Sequence, residues 1–273
     1  MNILDRVLIE RHGEHVAIVS LNRPEKYNAI DSDMMHALVK AQRIIKKDRS
    51  IRVVILTAKG PSFCAGLDVS NFSAPPLKLL KDALKFGRSD NIFQRCAAVW
   101  RDLPVPVIAV INGNCFGGGL QIALGADIRY SAQDASYSIM ESKWGLIPDM
   151  SGLLSAPEVM RLDHFMQLTL SADIVDASTA MDYGLVTHVE AEPLRAALAF
   201  SEVLLTRSPD AHAVTKKLVR KVWVNGSKRS TLFWETWYQL RLLLSRKNIS
   251  VSTYNNASKN DSKPRRPFSN RRL

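Results

Sequence analysis

Two loops of this chain carry residue types that can stabilise a developing negative charge. Ser62-Phe63-Cys64-Ala65-Gly66-Leu67-Asp68 follows the apolar run Arg52–Ala58, and Asn112-Gly113-Asn114-Cys115-Phe116-Gly117-Gly118-Gly119 closes the apolar run Pro106–Asn112. Glycine lets a backbone N–H approach a ligand closely, and a helix N-terminus adds partial positive charge. Two such loops side by side can form an oxyanion hole. The glycine triplet also has a plain packing use, in which it only permits close approach of neighbouring backbone. GxGxxG, Walker A, HExxH and GxSxG patterns are all absent, so nucleotide, zincin and serine-hydrolase chemistry lacks its usual support. The three cysteines, Cys64, Cys96 and Cys115, have no CxxC spacing, and neither a disulfide framework nor a metal site is expected.

Loops of this kind need strands to aim them. Val7–Arg11 and His15–Leu21 flank His12-Gly13-Glu14 and predict an opening hairpin. Arg52–Ala58 and Pro106–Asn112 read as strands covered on both faces, being β-branched and almost wholly apolar. Ser32 is expected to cap a helix with Met34, Leu38, Ala41 and Ile45 on one stripe and Lys40, Arg43 and Lys47 on another. A second helix is expected over about Asp90–Leu103. A third cycle follows, with a short helix over Leu120–Leu124 and strands Asp127–Tyr130 and Ser136–Ile139, which makes a mixed α/β pattern. After about Asp163 only helices are predicted: Asp163–Leu170, Asp176–Asp182, Pro193–Thr206, Pro209–Val224 and Arg229–Leu244. Ser208 is the N-cap and Pro209 the first helical residue of the fourth of these.

With 273 residues and 46% apolar composition, the chain can bury one large core with a smaller appendage. The N-terminus lacks the apolar segment of a signal peptide, and no run of about 18 apolar residues occurs, so a soluble protein of the reducing cytoplasm is expected. The formal charge is +11, but nearly half of it lies in the last fifteen residues, where Lys259, Lys263, Arg265, Arg266, Arg271 and Arg272 stand against Asp261. That Asn-, Ser- and Pro-rich end reads as a solvated tail.

The ordered series Arg23-Pro24-x-x-x-Asn28-Ala29, Phe63–Asp68, Asn112-Gly113-x-x-x-Gly117-Gly118-Gly119, Ala126-Asp127-Ile128-Arg129 and Glu141-x-x-x-Gly145-Leu146-Ile147-Pro148 resembles the crotonase, or enoyl-CoA hydratase/isomerase, family over about Val7–Val189. Ala180–Val186 resembles the family's helix and return strand. The resemblance implies an α/β fold, a ClpP/crotonase-like spiral of ββα units, with a core over residues 1–190, a helical C-terminal trimerisation region over 191–255 and a basic tail over 256–273. It also implies a trimer or dimer of trimers, a coenzyme A thioester as substrate, no separate cofactor, and fatty-acyl chemistry through a thioester enolate.

By motif position, the backbone N–H groups of Leu67 and Gly118 would form the oxyanion hole, and Glu141 would be the catalytic carboxylate. Hydratases of the family place a second glutamate where this chain has Gln121, and an amide can orient water but cannot accept a proton. The resemblance therefore implies isomerisation of a 3-enoyl or dienoyl thioester ahead of water addition, with Asp149 as either a second acid/base group or a turn residue. Lys26 and Lys216 or Lys217 would contact coenzyme A phosphates, the backbone of Ala65, Gly66 and Asp68 the adenine, and Phe116, Trp144 and the region from Phe72 to Phe93 the acyl chain. Enoyl-CoA hydration is the alternative. A reading of another class is RNA binding through Lys40, Arg43, Lys47 and Arg49, or a homologue without catalysis; no aromatic base-stacking set accompanies those cations, so nucleic acid is the lesser reading.

Overall fold

The computed structural model describes residues 1–68, 90–223, 226–243, 250–251, 254–255, 266–268 and 270. A seven-stranded sheet is built from β1 (Asn2–Ile3), β2 (Val7–His12), β3 (Val16–Leu21), β4 (Val53–Ala58), β5 (Val107–Ile111), β7 (Ile128–Ala132) and β10 (His188–Glu190), in that spatial order. β2 runs antiparallel to both β1 and β3, and from β3 onward all neighbours are parallel. The five residues of β5 are all buried because both faces are covered, which is why no polar residue interrupts the run. Period-2 alternation sorts them: Val54, Leu56, Val107, Ala109 and Ile111 pack into the main core, while Val53, Ile55, Ile108 and Val110 join a second cluster with Ala197.

A smaller sheet lies beside the first: β6 (Asn114–Phe116) pairs in parallel with β8 (Ser136–Ser138), which pairs antiparallel with β9 (Val175–Asp176). Single bridges Cys64↔Cys115 and Ile30↔Leu67 extend this layer. Each turn of the chain thus runs from a long buried strand to a short crossing segment and then to a helix. The helices are α1 (Ser32–Lys47), α2 (Ile92–Arg101), α3 (Gly118–Leu124), α4 (Gly152–Val159), α5 (Leu162–Ser171), α6 (Ala177–Asp182), α7 (Pro193–Leu205), α8 (Pro209–Val222) and α9 (Lys228–Leu243), joined by 3-10 turns at Pro24–Lys26 and Glu141–Trp144. The apolar stripe of α1 (Met34, Leu38, Ala41, Ile45) packs with Cys96, Ala97 and Trp100 of α2 in the main core, each such fully buried large side chain stabilising by about 1.5–3 kcal/mol.

Several expectations need correction. Asp31, not Ser32, caps α1: its carboxylate accepts the Met34 N–H at 2.8 Å. Strands do not end at Asp163, since β9 and β10 follow, and β10 completes the parallel edge beside β7. Helix α4 was not anticipated. Ala197, Phe200 and Leu204 of α7 cover the second cluster. Ser208 does cap α8, accepting the Ala211 N–H at 3.2 Å. A part-buried ion network fixes α8 against the core: Asp127 meets Lys216 at 2.6 Å and Arg220 at 2.7 Å, and Glu158 pairs with Arg101 and Arg220. Among the described residues no helix is long and apolar enough to cross a membrane.

Candidate active site

The two glycine-containing loops meet where β4 and β5 end. Phe63 and Cys64 donate their N–H groups to Asn112 and Asn114 carbonyls at 2.7 and 2.9 Å, which lays one loop on the other. Asn28 ties the arrangement together. Wholly buried, it donates to the carbonyls of Lys59 (2.9 Å) and Ser62 (2.8 Å) and accepts the Arg23 N–H at 2.7 Å.

Hydrogen bonds on the neighbouring carbonyls set the direction of two amides. Gly66 O accepts the Ile30 N–H at 2.8 Å, and in a planar trans peptide the following N–H points the opposite way, so Leu67 N–H faces away from Ile30. Gly117 O accepts the Gln121 N–H at 3.0 Å, which by the same rule sends Gly118 N–H off the N-terminus of α3. The adjacent amides are occupied: Gly66 N–H meets Cys64 Sγ at 3.4 Å, Asp68 N–H meets Ile30 O at 3.0 Å and Gly117 N–H meets Ser138 O at 2.9 Å. Among the described residues, Leu67 and Gly118 N–H donate to no protein atom. Both residues line a cavity of about 270 Å³ with Ala29, Ala65, Gly66, Asp68, Gly117, Met140, Glu141, Trp144 and Leu146. Two unspent donors bordering a mostly apolar cavity are what an oxyanion requires.

Glu141 opens the 3-10 turn and is 8% exposed. Its Oε1 accepts from Gln121 Nε2 at 2.6 Å, while its Oε2 is buried without a hydrogen-bond partner among the described residues. Burial pushes its pKa up, and the field of Asp149 adds in the same direction, against the Gln121 hydrogen bond, which lowers it. A carboxylate with one anchored and one unpartnered oxygen can take and return a proton. Gly117 makes room for it: φ is +49°, and a Cβ there would stand 3.3 Å from Glu141 Oε1.

Gln121 is locked in one orientation. Its carbonyl oxygen accepts Met150 N–H at 2.8 Å and Gly152 N–H at 2.9 Å, leaving the amide NH₂ to face Glu141. These two backbone donors surround Ser151, held at φ +70° with its hydroxyl donating to Gln94 O at 2.9 Å. Asp149 is exposed as a residue and does not line the cavity, although shielding of its carboxyl raises its pKa and its charge reaches Glu141.

Of the remaining expected residues, Ala65, Gly66, Asp68 and Trp144 line the cavity, and Phe116 does not. Trp144 is 56% exposed, a rim residue. Lys26 is exposed in the first 3-10 turn, outside the lining. Lys216 needs correction as a phosphate ligand: its ammonium is spent on Asp127 Oδ2 (2.6 Å), Val105 O (3.0 Å) and Trp100 O (3.4 Å). Lys217 is exposed on α8. Phe93 is packed against the core, and Phe72 lies outside the described residues. Sequence reasoning missed the Met150 and Gly152 amides, which carry no side-chain signal, and the supporting part of Arg23 and Asn28, whose spacing in the Arg-Pro motif was the available clue.

Comparisons with known proteins identify the family. The model of the family "Enoyl-CoA hydratase/isomerase" matches residues 11–235. A putative enoyl-CoA hydratase/isomerase, YngF of Bacillus subtilis, is 35% identical over 68% of this chain and 70% of its own length. The mitochondrial Delta(3,5)-Delta(2,4)-dienoyl-CoA isomerase of Mus musculus is 33% identical over 72% of this chain, an alignment that spans 63% of that protein. The enoyl-CoA hydratase EchA19 of Mycobacterium tuberculosis is 33% identical over 78% of this chain and 80% of its own. A solved structure of a putative enoyl-CoA hydratase/isomerase from Mycobacterium abscessus superposes with a TM-score of 0.84 at 30% identity, covering 97% of this chain and all of that one. With its paired oxyanion-type amides, its buried glutamate and a family match across most of its length, this chain belongs to the enoyl-CoA hydratase/isomerase family.

Proposed function

We propose that this enzyme moves a double bond along a 3-enoyl- or dienoyl-CoA thioester, through an enolate whose oxygen is held by the N–H groups of Leu67 and Gly118. Glu141, as carboxylate, removes a proton from C2 of the 3-enoyl thioester, and the electron pair passes to the thioester oxygen. Collapse of the dienolate then takes the same proton from the Glu141 carboxylic acid at C4. The double bond moves from C3=C4 to C2=C3, and Glu141 is regenerated as carboxylate.

The observation that carries this reading is the lock on Gln121. Its carbonyl is spent on Met150 and Gly152 and its NH₂ on Glu141, so the position supplies a neutral donor where water addition calls for a second carboxylate. One carboxylate suffices when the proton removed is the proton returned. Hydration stays as the second reading, since relatives such as EchA19 are named hydratases. We place the coenzyme A moiety along Ala65, Gly66 and Asp68 with Lys26 near its phosphates, and take the exposed Leu153, Leu154 and Leu162 as support for a trimeric assembly.

The test offers purified protein cis- and trans-3-enoyl, trans-2-enoyl and 3,5-dienoyl CoA esters, followed by ultraviolet absorbance and product mass. Isomerised products of unchanged mass are expected. Efficient water gain on the trans-2 ester overturns the isomerase preference.

A further inference from the structure

The Leu67 peptide owes its direction to the bridge with Ile30, and one side chain grips both strands of that bridge. Arg23 Nη1 donates to Ala29 O at 3.0 Å, the residue before Ile30, and to Asp68 Oδ2 at 2.7 Å, the residue after Leu67. Asp31, the residue after Ile30, stands 3.6 Å from the same nitrogen. Arg23 and Asp68 side chains are 11% and 9% exposed, so this pair is shielded from the solvent screening that weakens surface ion pairs. The guanidinium itself is not part of the cavity lining, whereas Ala29 and Asp68 are. Asp31 is also engaged by the Met34 N–H and by Arg6 at 2.9 Å, and Asp68 makes the shorter contact with Arg23, 2.7 against 3.6 Å. Both bonds leave the single nitrogen Nη1, whose two N–H donors hold fixed directions in the guanidinium plane, whereas a lysine ammonium keeps the charge without those fixed directions.

We propose that Arg23 and Asp68 form a clip that holds the Ile30–Leu67 bridge closed and thereby positions the Leu67 N–H for the thioester oxyanion. Arg23 is a positioning residue, acting through the backbone without touching substrate. The proposal rests on the enolate reading above. Loosening the clip lets the Gly66–Leu67 peptide rotate, which removes one of two oxyanion donors while Glu141 and Gln121 stay in place. The loss therefore belongs in kcat with KM for the CoA ester largely kept.

The experiment compares wild-type protein with Arg23→Met, Asp68→Asn and Arg23→Lys. It follows three readouts: turnover, the ultraviolet band of the enolate formed when a 3-ketoacyl-CoA binds, and amide hydrogen exchange of the segment spanning Ile30 and Leu67–Asp68. The expected result is a fall in kcat of tenfold or more for Arg23→Met and Asp68→Asn, with KM within about threefold for Arg23→Met, whose side chain lies outside the cavity lining, a weakened enolate band, and faster exchange at Ile30 and Asp68 while β5 exchange is unchanged. Arg23→Lys falls between these and wild type. An enolate band in wild type that is equally strong in the folded variants overturns the clip alone, as does a loss confined to KM. Absence of the band in wild-type protein overturns the enolate reading and the clip with it. Should Arg23→Met fail to fold, the milder Asp68→Asn and Arg23→Lys decide by the same readouts.

Discussion

Replacing Gln121 by Glu tests the division of labour at the site with almost no change of shape. The new Oε1 inherits the Met150 and Gly152 N–H donors at 2.8 and 2.9 Å, which suit a carboxylate oxygen. The other oxygen takes the place of Nε2, 2.6 Å from Glu141 Oε1. With charge spread over each carboxylate the centres stand about 4 Å apart, and at an effective dielectric of about 20 two negative charges repel by about 4 kcal/mol. That is roughly three orders of magnitude in the second ionisation, so the pair shares one proton at neutral pH, as carboxylates crowded together do. An acid beside a base is the equipment for adding water across a double bond. The variant is expected to raise hydration of trans-2-enoyl-CoA at least tenfold over wild type. Its isomerisation profile is expected to lose activity at a higher pH on the acid side, because Glu141 loses the Gln121 hydrogen bond that lowers its pKa and gains a like charge that raises it. Both are read by absorbance of the enoyl thioester across pH. A folded variant with no gain in hydration and a stationary acid limb refutes the reasoning.

Glu141→Gln should cost about 10²–10⁴-fold in kcat while leaving CoA-ester binding intact, and near-normal turnover would remove Glu141 from the mechanism. Because the folded state raises the Glu141 pKa, folded stability falls as pH climbs from the ordinary carboxylate range through that raised value; thermal unfolding of Glu141→Gln at pH 5 and 8 should show a weaker fall than wild type. Asp149→Asn removes a charge that raises Glu141, so the acid limb of turnover should move to lower pH; an upward or absent shift contradicts the coupling. Gly119→Ala would press a Cβ to 2.5 Å from Cys64 Cβ and 2.9 Å from Cys64 O, for a destabilisation of about 1–3 kcal/mol in denaturant titration. Lys216→Met leaves Asp127 with Arg220 and the Val107 N–H, so the cost should sit near the lower end of a broken buried pair, about 3 kcal/mol, with KM for the CoA ester unchanged; a rise in KM would restore Lys216 as a phosphate ligand.

The long strands were legible because burial on both faces leaves its mark as an uninterrupted apolar run, as in Val107–Ile111. The short crossing strands were not. Val175–Asp176 and His188–Glu190 exist through pairing with distant partners, Ser136–Tyr137 and Tyr130–Ala132, and two or three residues hold no periodicity of their own. Helix Gly152–Val159 was hidden by the glycine at its start and Pro157 inside it. At the site, ordered motifs singled out Leu67, Gly118, Glu141 and Gln121; the structure lines one cavity with the first three and bonds Gln121 to Glu141. What holds Gln121 was beyond reach, because Met150 and Gly152 contribute only backbone. Lys216 misled because a lysine on a helix face gives no sign that its ammonium is buried against Asp127. The Asp31 cap lay one residue from the expected Ser32, since either side chain can accept an N–H and only geometry chooses.

The most direct test of single-carboxylate enolate chemistry is product mass after wild-type protein acts on trans-3-enoyl-CoA in isotopically heavy-oxygen water. The account predicts rapid formation of trans-2-enoyl-CoA with no oxygen gained from solvent, and loss of that conversion in Glu141→Gln. Accumulation of a hydroxyacyl-CoA carrying the heavy oxygen, at a rate matching or exceeding isomerisation, would contradict it.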